Sequence, residues 1–534
     1  MKRLFITPLL ALAITSAASA QRPSAPDFSR AVMQAYEEML RENYKDYEVL
    51  FRRANEYYNH GDYLRALDDL ESAVKYAPQS ASETRFAIFA LRAECYYQLK
   101  RFSLAIQDAD EALKIDPTSP NMLNLRARIE YDFNKIPEAK ADYTKLLRIN
   151  PRSQEALFGL ALVAAKENNL GMANEYMEKA VALTPSSSAA YVRRAKVKEI
   201  MSDYNGAVDD LLLAMATDAT DTEALPALVA LANTNYPAVA SGLSGAIRQA
   251  PRQPLYYFLR ASIAAAHYHY GAAIDDFKYI ISENLYNYAG LYCSLAECYY
   301  ALGDYEAALD NVDSALAKYD DKEDDPCHYF TVRARIQRAL KHPDKALLSV
   351  NRALDIKPEN SDAIVEKALI LTDLDKAKEA SALLGEVIMA EPYEPMNYLL
   401  RAWILNDYLN QQKAAKALYG RVIDLELDHA DRIGSMLGFA QLFDGKTAQG
   451  VAWLENCLAE PDYDGKTHYL AACFYAWAGR KQRALECMEG ALKAGYANYH
   501  DWIANNDGRV NVSPIRDDAK FQALLEQYKS IFAH

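Results

Sequence analysis

"YYNHGDYLRALDDLESAVKYAP", residues 57–78, is nearly rewritten from residue 299 as "YYALGDYEAALDNVDSALAKYD". Such an echo means either one duplicated domain or a short unit that recurs along the chain. The alanines decide between them. Pairs twelve positions apart stand at Ala54/Ala66, Ala93/Ala105, Ala127/Ala139, Ala161/Ala173 and Ala195/Ala207. They resume at Ala261/Ala273, Ala296/Ala308, Ala334/Ala346, Ala368/Ala380, Ala402/Ala414 and Ala472/Ala484. From Ala93 to Ala195, and again from Ala334 to Ala402, the leading alanine advances by 34 residues each time. A third alanine often follows (Ala73, Ala112, Ala315) and then a proline (Pro78, Pro117, Pro151). The unit is short and recurs about a dozen times.

Each unit reads as two amphipathic stretches of helical period split by a polar break such as Gly61-Asp62 or Gly303-Asp304. Small residues at a helix contact let two backbones approach closely. Proline then ends the second helix. Two helices alone cannot bury their apolar faces, but stacked neighbours share a continuous core. The 34-residue period, the small residues and the closing proline resemble the tetratricopeptide repeat family over residues 47–495. That resemblance implies an all-α, right-handed solenoid of about 12–13 helix-turn-helix repeats, with a concave groove that binds peptide or protein segments.

Residues 1–20, "MKRLFITPLLALAITSAASA", have the basic start, apolar run and small-residue cleavage site of a signal peptide. The expectation is export, to the periplasm or beyond, with cleavage after Ala20. Residues 21–46 read as a capping helix and 47–219 as a sub-array of five repeats. Residues 220–251 lack the alanine frame, carry Pro226 and Pro237, and read as a degenerate repeat or hinge. A second sub-array of about seven repeats spans 252–495. One of them, at 431–463, is weak, with Gly438 and Gly450 where alanines belong. Residues 496–534 read as a C-terminal cap, since arrays need polar ends to stay soluble.

The 534 residues carry a formal net charge of −14, and no basic patch points to nucleic acid. No apolar run after the first twenty residues approaches the ~20 needed to span a membrane. Seven cysteines are too few for a disulfide scaffold and read as small buried residues, although a pair such as Cys473 and Cys487 is open to oxidation.

One correlation runs inside the repeats. Arginine directly precedes the leading alanine at Arg53, Arg92, Arg126, Arg194 and Arg260. Aspartate falls three after the second alanine in those same units, at Asp69, Asp108, Asp142, Asp210 and Asp276. Where Leu160 and Leu295 replace the arginine, Tyr176 and Asn311 replace the aspartate. The pattern predicts ion pairs, within a unit or to its neighbour, that set stability and register.

No catalytic constellation stands out. His267 and His269 are two apart, not on one helix face, and read as a wet loop. Residues 320–325, "DDKEDD", lack the spacing of a calcium loop and read as a solvated connector. There is no phosphate-cradling glycine loop and no nucleophile elbow. The expectation is no enzyme, no cofactor and no metal.

The face three before, one after and four after each leading alanine remains, and the resemblance makes it the groove. It offers Phe51, Asn55 and Tyr58; then Glu94 and Tyr97; then Asn124, Arg128 and Tyr131; then Phe158. Trp403, Tyr469 and Trp477 lie at comparable places. Tyr58, Tyr97 and Tyr131 form an aromatic ladder that either meets a ligand or pads the seam between repeats. Some relatives clamp a chaperone carboxylate with lysine and asparagine here; Phe51 and Glu94 replace two of those elements. The function expected is a non-catalytic scaffold or receptor of the envelope or extracellular space. The alternative is a periplasmic accessory or chaperone-like factor for envelope assembly or secretion.

Overall fold

The computed structural model describes residues 27–218, 221–320, 325–426, 436–460, 462, 464–504 and 508–532. The signal-peptide segment, most of "DDKEDD" and the start of the weak repeat lie outside them. The described residues contain α-helices and two short 3-10 turns, and no strand among them. The chain divides into two compact units between Gly242 and Leu243.

In the first unit, α1 (Asp27–Glu42) precedes five helix hairpins. They are α2 (Tyr47–Asn59) with α3 (Tyr63–Tyr76), α4 (Ser82–Gln98) with α5 (Phe102–Ile115), and α6 (Pro120–Asp132) with α7 (Ile136–Ile149). Then come α8 (Gln154–Lys166) with α9 (Leu170–Leu183), and α10 (Ser188–Ile200) with α11 (Tyr204–Thr217). Next is α12 (Ala224–Gln249), within which the unit boundary falls. Asn235 leaves helical geometry there (φ −151°, ψ 73°), two residues before Pro237. Proline has no N–H to give, and its ring crowds the preceding turn. The Asn235 side chain caps the resumed helix by accepting from the Ala238 amide at 3.2 Å.

In the second unit, α13 (Pro254–Ala266) pairs with α14 (Tyr270–Ser282), α15 (Ala289–Ala301) with α16 (Tyr305–Lys318), and α17 (Pro326–Ala339) with α18 (Pro343–Ile356). Then α19 (Ser361–Asp373) pairs with α20 (Ala377–Ala390) and α21 (Pro395–Asp407) with α22 (Gln412–Glu426). The last pairs are α23 (Leu437–Phe443) with α24 (Thr447–Leu458) and α25 (Lys466–Trp477) with α26 (Lys481–Lys493). Helices α27 (Tyr499–Ile503) and α28 (Ala519–Gln527) end the chain. In the last of these, Asp518 caps the N-terminus, and Phe521 and Leu525 are buried.

Each hairpin turns through one residue of positive φ. Gly61 (+74°) and Gly303 (+78°) supply it in the two echoing stretches, whereas Lys100 (+56°), Asn134 (+61°) and Lys341 (+62°) supply it elsewhere. At Gly61 the amide donates to Tyr58 O at 2.9 Å and the Asp62 amide to Tyr57 O at 2.8 Å. This double bond pattern satisfies the last carbonyls of the first helix. Asp62 then accepts from the Arg65 amide and caps the second helix. The Gly-Asp-Tyr triplet is thus a stop, a start and a first helical residue.

Ala54, Ala66 and Ala73 are 0% exposed, as are their counterparts Ala93, Ala105 and Ala112. The frame slips once. Ala414 is exposed and Ala415 is buried, because the turn at Asn410 holds one extra residue, seen in the Gln411 amide bonding to Leu405 O. In α23 and α24 the alanines give way to glycine for want of space. A Cβ on Gly438 would fall 2.0 Å from the Trp453 ring, and one on Gly450 would fall 2.8 Å from the Gly438 carbonyl oxygen.

Candidate functional site

The arginine–aspartate pairs close within each hairpin and hold its two helices in register. Arg53 Nε and Nη2 donate to the two oxygens of Asp69 at 2.7 Å each. Arg92 meets Asp108 at 2.6 and 2.7 Å, and Arg126 meets Asp142 at 2.7 and 2.8 Å. Arg194 meets Asp210 at 2.9 and 2.6 Å, and Arg260 meets Asp276 at 2.8 and 2.7 Å. Such two-point contacts fix geometry as well as charge. The third nitrogen often reaches back to the preceding second helix, as Arg126 Nη1 does to Asp110 at 2.6 Å. Arg333 shows what happens without the aspartate. Ser349 stands in its place, and Arg333 Nε turns to Asp313 at 2.7 Å instead.

With register fixed, α4, α6, α8 and α10 present one face in sequence. Between them lies a cleft of about 370 Å³ lined by Tyr97, Asn124, Arg128, Tyr131, Asp132, Glu155, Phe158, Leu162, Arg193 and Lys196, among others. Its floor is Tyr143, buried on α7, over which Gly159 passes. A Cβ on Gly159 would fall 2.4 Å from the Tyr143 ring, so glycine lets the two helices close under the cleft.

Three aromatic rings on this face are each covered by a cation from the next repeat. Arg128 lies 5.2 Å from the Tyr97 centroid, Lys166 5.0 Å from Tyr131 and Arg193 6.0 Å from Phe158. The Tyr97 hydroxyl donates to Asp132 at 2.6 Å, also across the repeat boundary. Burial and that carboxylate raise its phenol above the ordinary value. Tyr58 instead has Glu94 beside it, and its phenol is pushed up to about 12, chiefly by burial. Phe51, Asn55, Tyr58, Glu94, Tyr97, Asn124 and Tyr131 are half-buried, Arg128 is exposed and Phe158 is buried. The ladder rings therefore bridge repeats and also present an edge to the cleft. Arg128, Lys166, Arg193 and Lys196 are exposed cations around it; Asp132 and Glu155 are the exposed carboxylates.

The second unit treats the same helix positions differently: its own C-terminal segment lies on them. Tyr300, four after Ala296, places its hydroxyl 2.8 Å from His500 Nε2, and Tyr305 sits 2.8 Å from Nδ1. Arg509 donates to Asp407, which occupies on α21 the place Asp132 holds on α6. Tyr469 is 5% exposed, stacked 4.8 Å from Tyr496 and edge-on to Trp502, so it is core and not an open groove residue. Trp477 is half-buried, with the Arg509 guanidinium 5.0 Å from its ring. Trp403 is half-buried, edge-on to Tyr408. The turn read as wet is not wet. His267 is 9% exposed and burial holds its imidazole below its ordinary value, while Tyr268 beside it packs on Tyr496 at 4.5 Å. Lys466 reaches into this aromatic group, 5.4 Å from Tyr469 and 5.6 Å from Tyr496.

All seven cysteines are buried. No described helix is long and apolar enough to cross a membrane.

A family model described as tetratricopeptide repeat matches residues 51–120 and 124–188, and a second with the same description matches residues 289–316. Over these residues the chain carries tetratricopeptide repeats. Both models describe a repeat and not an enzyme. Among solved structures, yeast Tom70 is 15% identical over 76% of this chain and 96% of its own, with a TM-score of 0.36. A tetratricopeptide repeat protein from Parabacteroides merdae is 18% identical over 55% of this chain and 98% of its own, with a TM-score of 0.29. YrrB, described as having an unusual peptide-binding site, is 16% identical over 36% of this chain and 97% of its own, with a TM-score of 0.28.

Proposed function

We propose that this protein is a non-catalytic scaffold or receptor that holds a segment of a partner protein in the cleft of its first unit. The carrying observation is the 370 Å³ cleft, lined by half-buried Tyr97 and Tyr131 and buried Phe158 among exposed cations and carboxylates. Rings of this kind offer large contact area at low entropic cost, with a polar handle. The second unit supports the reading from inside the chain. At equivalent helix positions Tyr300 engages a histidine and Asp407 an arginine of a peptide segment, here the chain's own. By the same chemistry the first cleft suits a segment that brings a hydrogen-bonding side chain to the ladder and a carboxylate to Arg193 and Lys196.

Residues 1–20 support placing the mature protein outside the cytoplasm, in the envelope or beyond. Two measurements test the whole. A photoreactive phenylalanine derivative at position 97, irradiated in the native cell, should trap one predominant protein by a single stretch of its chain. Many unrelated adducts would favour a chaperone-like holder, and none would end the reading. N-terminal sequencing should begin at Gln21; an intact Met1 terminus would place the protein inside.

A further inference from the structure

We infer that Cys293, Glu297 and His328 form a binding site for a borderline transition-metal ion, with Zn²⁺ the fitting choice. Cys293 and Glu297 stand one turn apart on α15, and His328 comes from the first turn of α17 in the next repeat. The thiol sulfur, a carboxylate oxygen and an imidazole nitrogen all lie within 4.8 Å of one another. His328 Nε2 is already 3.6 Å from Glu297 Oε1. Ligand atoms around tetrahedral zinc stand about 3.4–3.6 Å apart, given Zn–S of about 2.3 Å and Zn–N of about 2.1 Å. That pair therefore needs no change. The remaining closure of about 1 Å falls to side chains free to move, since Glu297 is 44% and His328 48% exposed.

The donor set selects the ion. Thiolate with imidazole and one carboxylate suits zinc and its neighbours, whereas calcium and magnesium require oxygen cages. Three protein ligands leave the fourth position of a tetrahedral ion to water. Arg335, whose charge acts on Cys293, is itself 3.7 Å from Glu366. The Cys293 thiol is buried, and such a thiol is inert until a metal takes the place of its proton. Binding forms the metal–sulfur bond as the S–H proton leaves to water, so affinity rises with pH. The ion would tie the groove faces of two successive repeats together. The sequence hides this site because its third ligand comes from another repeat.

The test uses the full reduced, metal-free chain and Co²⁺ as probe. One equivalent should bind and produce a thiolate-to-cobalt charge-transfer band that zinc displaces. His328→Gln, at an exposed position, and Glu297→Gln, at a half-buried one, should each weaken binding by roughly tenfold or more. Cys293→Ser should abolish the charge-transfer band. These two variants keep the test decisive if the buried serine fails to fold. Absence of saturable Co²⁺ binding, or a band and affinity unchanged in His328→Gln, would overturn the site.

Discussion

The Tyr300 hydroxyl stands 2.8 Å from His500 Nε2, and the two rings lie 4.2 Å apart although 200 residues separate them. With Tyr305 on Nδ1, both ring nitrogens of the imidazole are engaged by hydroxyls that can donate or accept. Burial, helped by Arg338, Arg335 and Lys341, holds its pKa down to about 3 from the ordinary 6.5.

The sign follows from linkage. Between about pH 6.5 and 3 the unfolded chain binds a proton that the folded chain refuses, so this group's contribution is lost as pH falls. From pH 7 to 5 the loss is roughly 2 kcal/mol. All four tryptophans (Trp403, Trp453, Trp477, Trp502) lie in the second unit, so their fluorescence in urea follows that unit alone. The wild type should lose about 2 kcal/mol more than His500→Gln over that interval. His267 and His269 share the direction of shift but cancel in the comparison. Equal losses in the two proteins would refute the assignment.

Arg92 and Asp108 test the pairs that set register. Their side chains are 16% and 4% exposed. Burial pushes the Asp108 carboxyl above its ordinary value against the pull of Arg92, so desolvation offsets much of the attraction. Arg92→Ala alone, which strands a buried carboxylate, should cost about 3–5 kcal/mol by circular-dichroism melts. Arg92→Leu with Asp108→Leu should cost less than the two single losses added. Additive losses would mean the contact is incidental.

Lys100 occupies the left-handed turn position that Gly61 fills in the repeat before it. A side chain there costs roughly 1–2 kcal/mol, and the greater freedom of glycine in the unfolded chain returns part of it. Lys100→Gly should therefore raise the melting free energy by about 0.5–1 kcal/mol. Destabilisation would show that its side chain makes a needed contact.

Much of the fold is legible because its cause is local and steric. Ala54, Ala66 and Ala73 recur because nothing larger fits where helices cross, and five arginines travel with five aspartates because each pair spans one hairpin. What escapes the sequence is non-local. The extra residue near Asn410 moves the buried place from Ala414 to Ala415 without breaking the twelve-residue count. Tyr469, Trp477 and His267 read as open because helical period says which face a residue takes, not what covers that face. Here the cover includes Tyr496 and Arg509, brought from the far end of the unit.

Gly159 probes the floor of the cleft. Glycine to alanine inside a helix ordinarily gains about 1 kcal/mol. Here the new Cβ would meet Tyr143 at 2.4 Å, and Tyr143 is 3% exposed with nowhere to retreat except toward the cleft. Overpacking of this kind costs about 1–3 kcal/mol, so Gly159→Ala should be net destabilising and should also reduce crosslinking from position 97. A variant more stable than wild type would mean that α7 and α8 do not meet this closely.

Arg193 and Lys196 carry the charge argument at the open end of the cleft. Both are exposed, and Arg193 stands 3.9 Å from Glu155 across the repeat boundary. Exposed pairs of this kind contribute about 0–1 kcal/mol, so Arg193→Glu with Lys196→Glu should leave the melt within about 1 kcal/mol of wild type. The same double change should lower capture from position 97 by roughly tenfold or more, since like charges across an interface cost several kcal/mol. Capture should also fall with added salt in the wild type and less so in the variant. Undiminished capture by the doubly reversed protein would show that the segment in the cleft brings no carboxylate to this end.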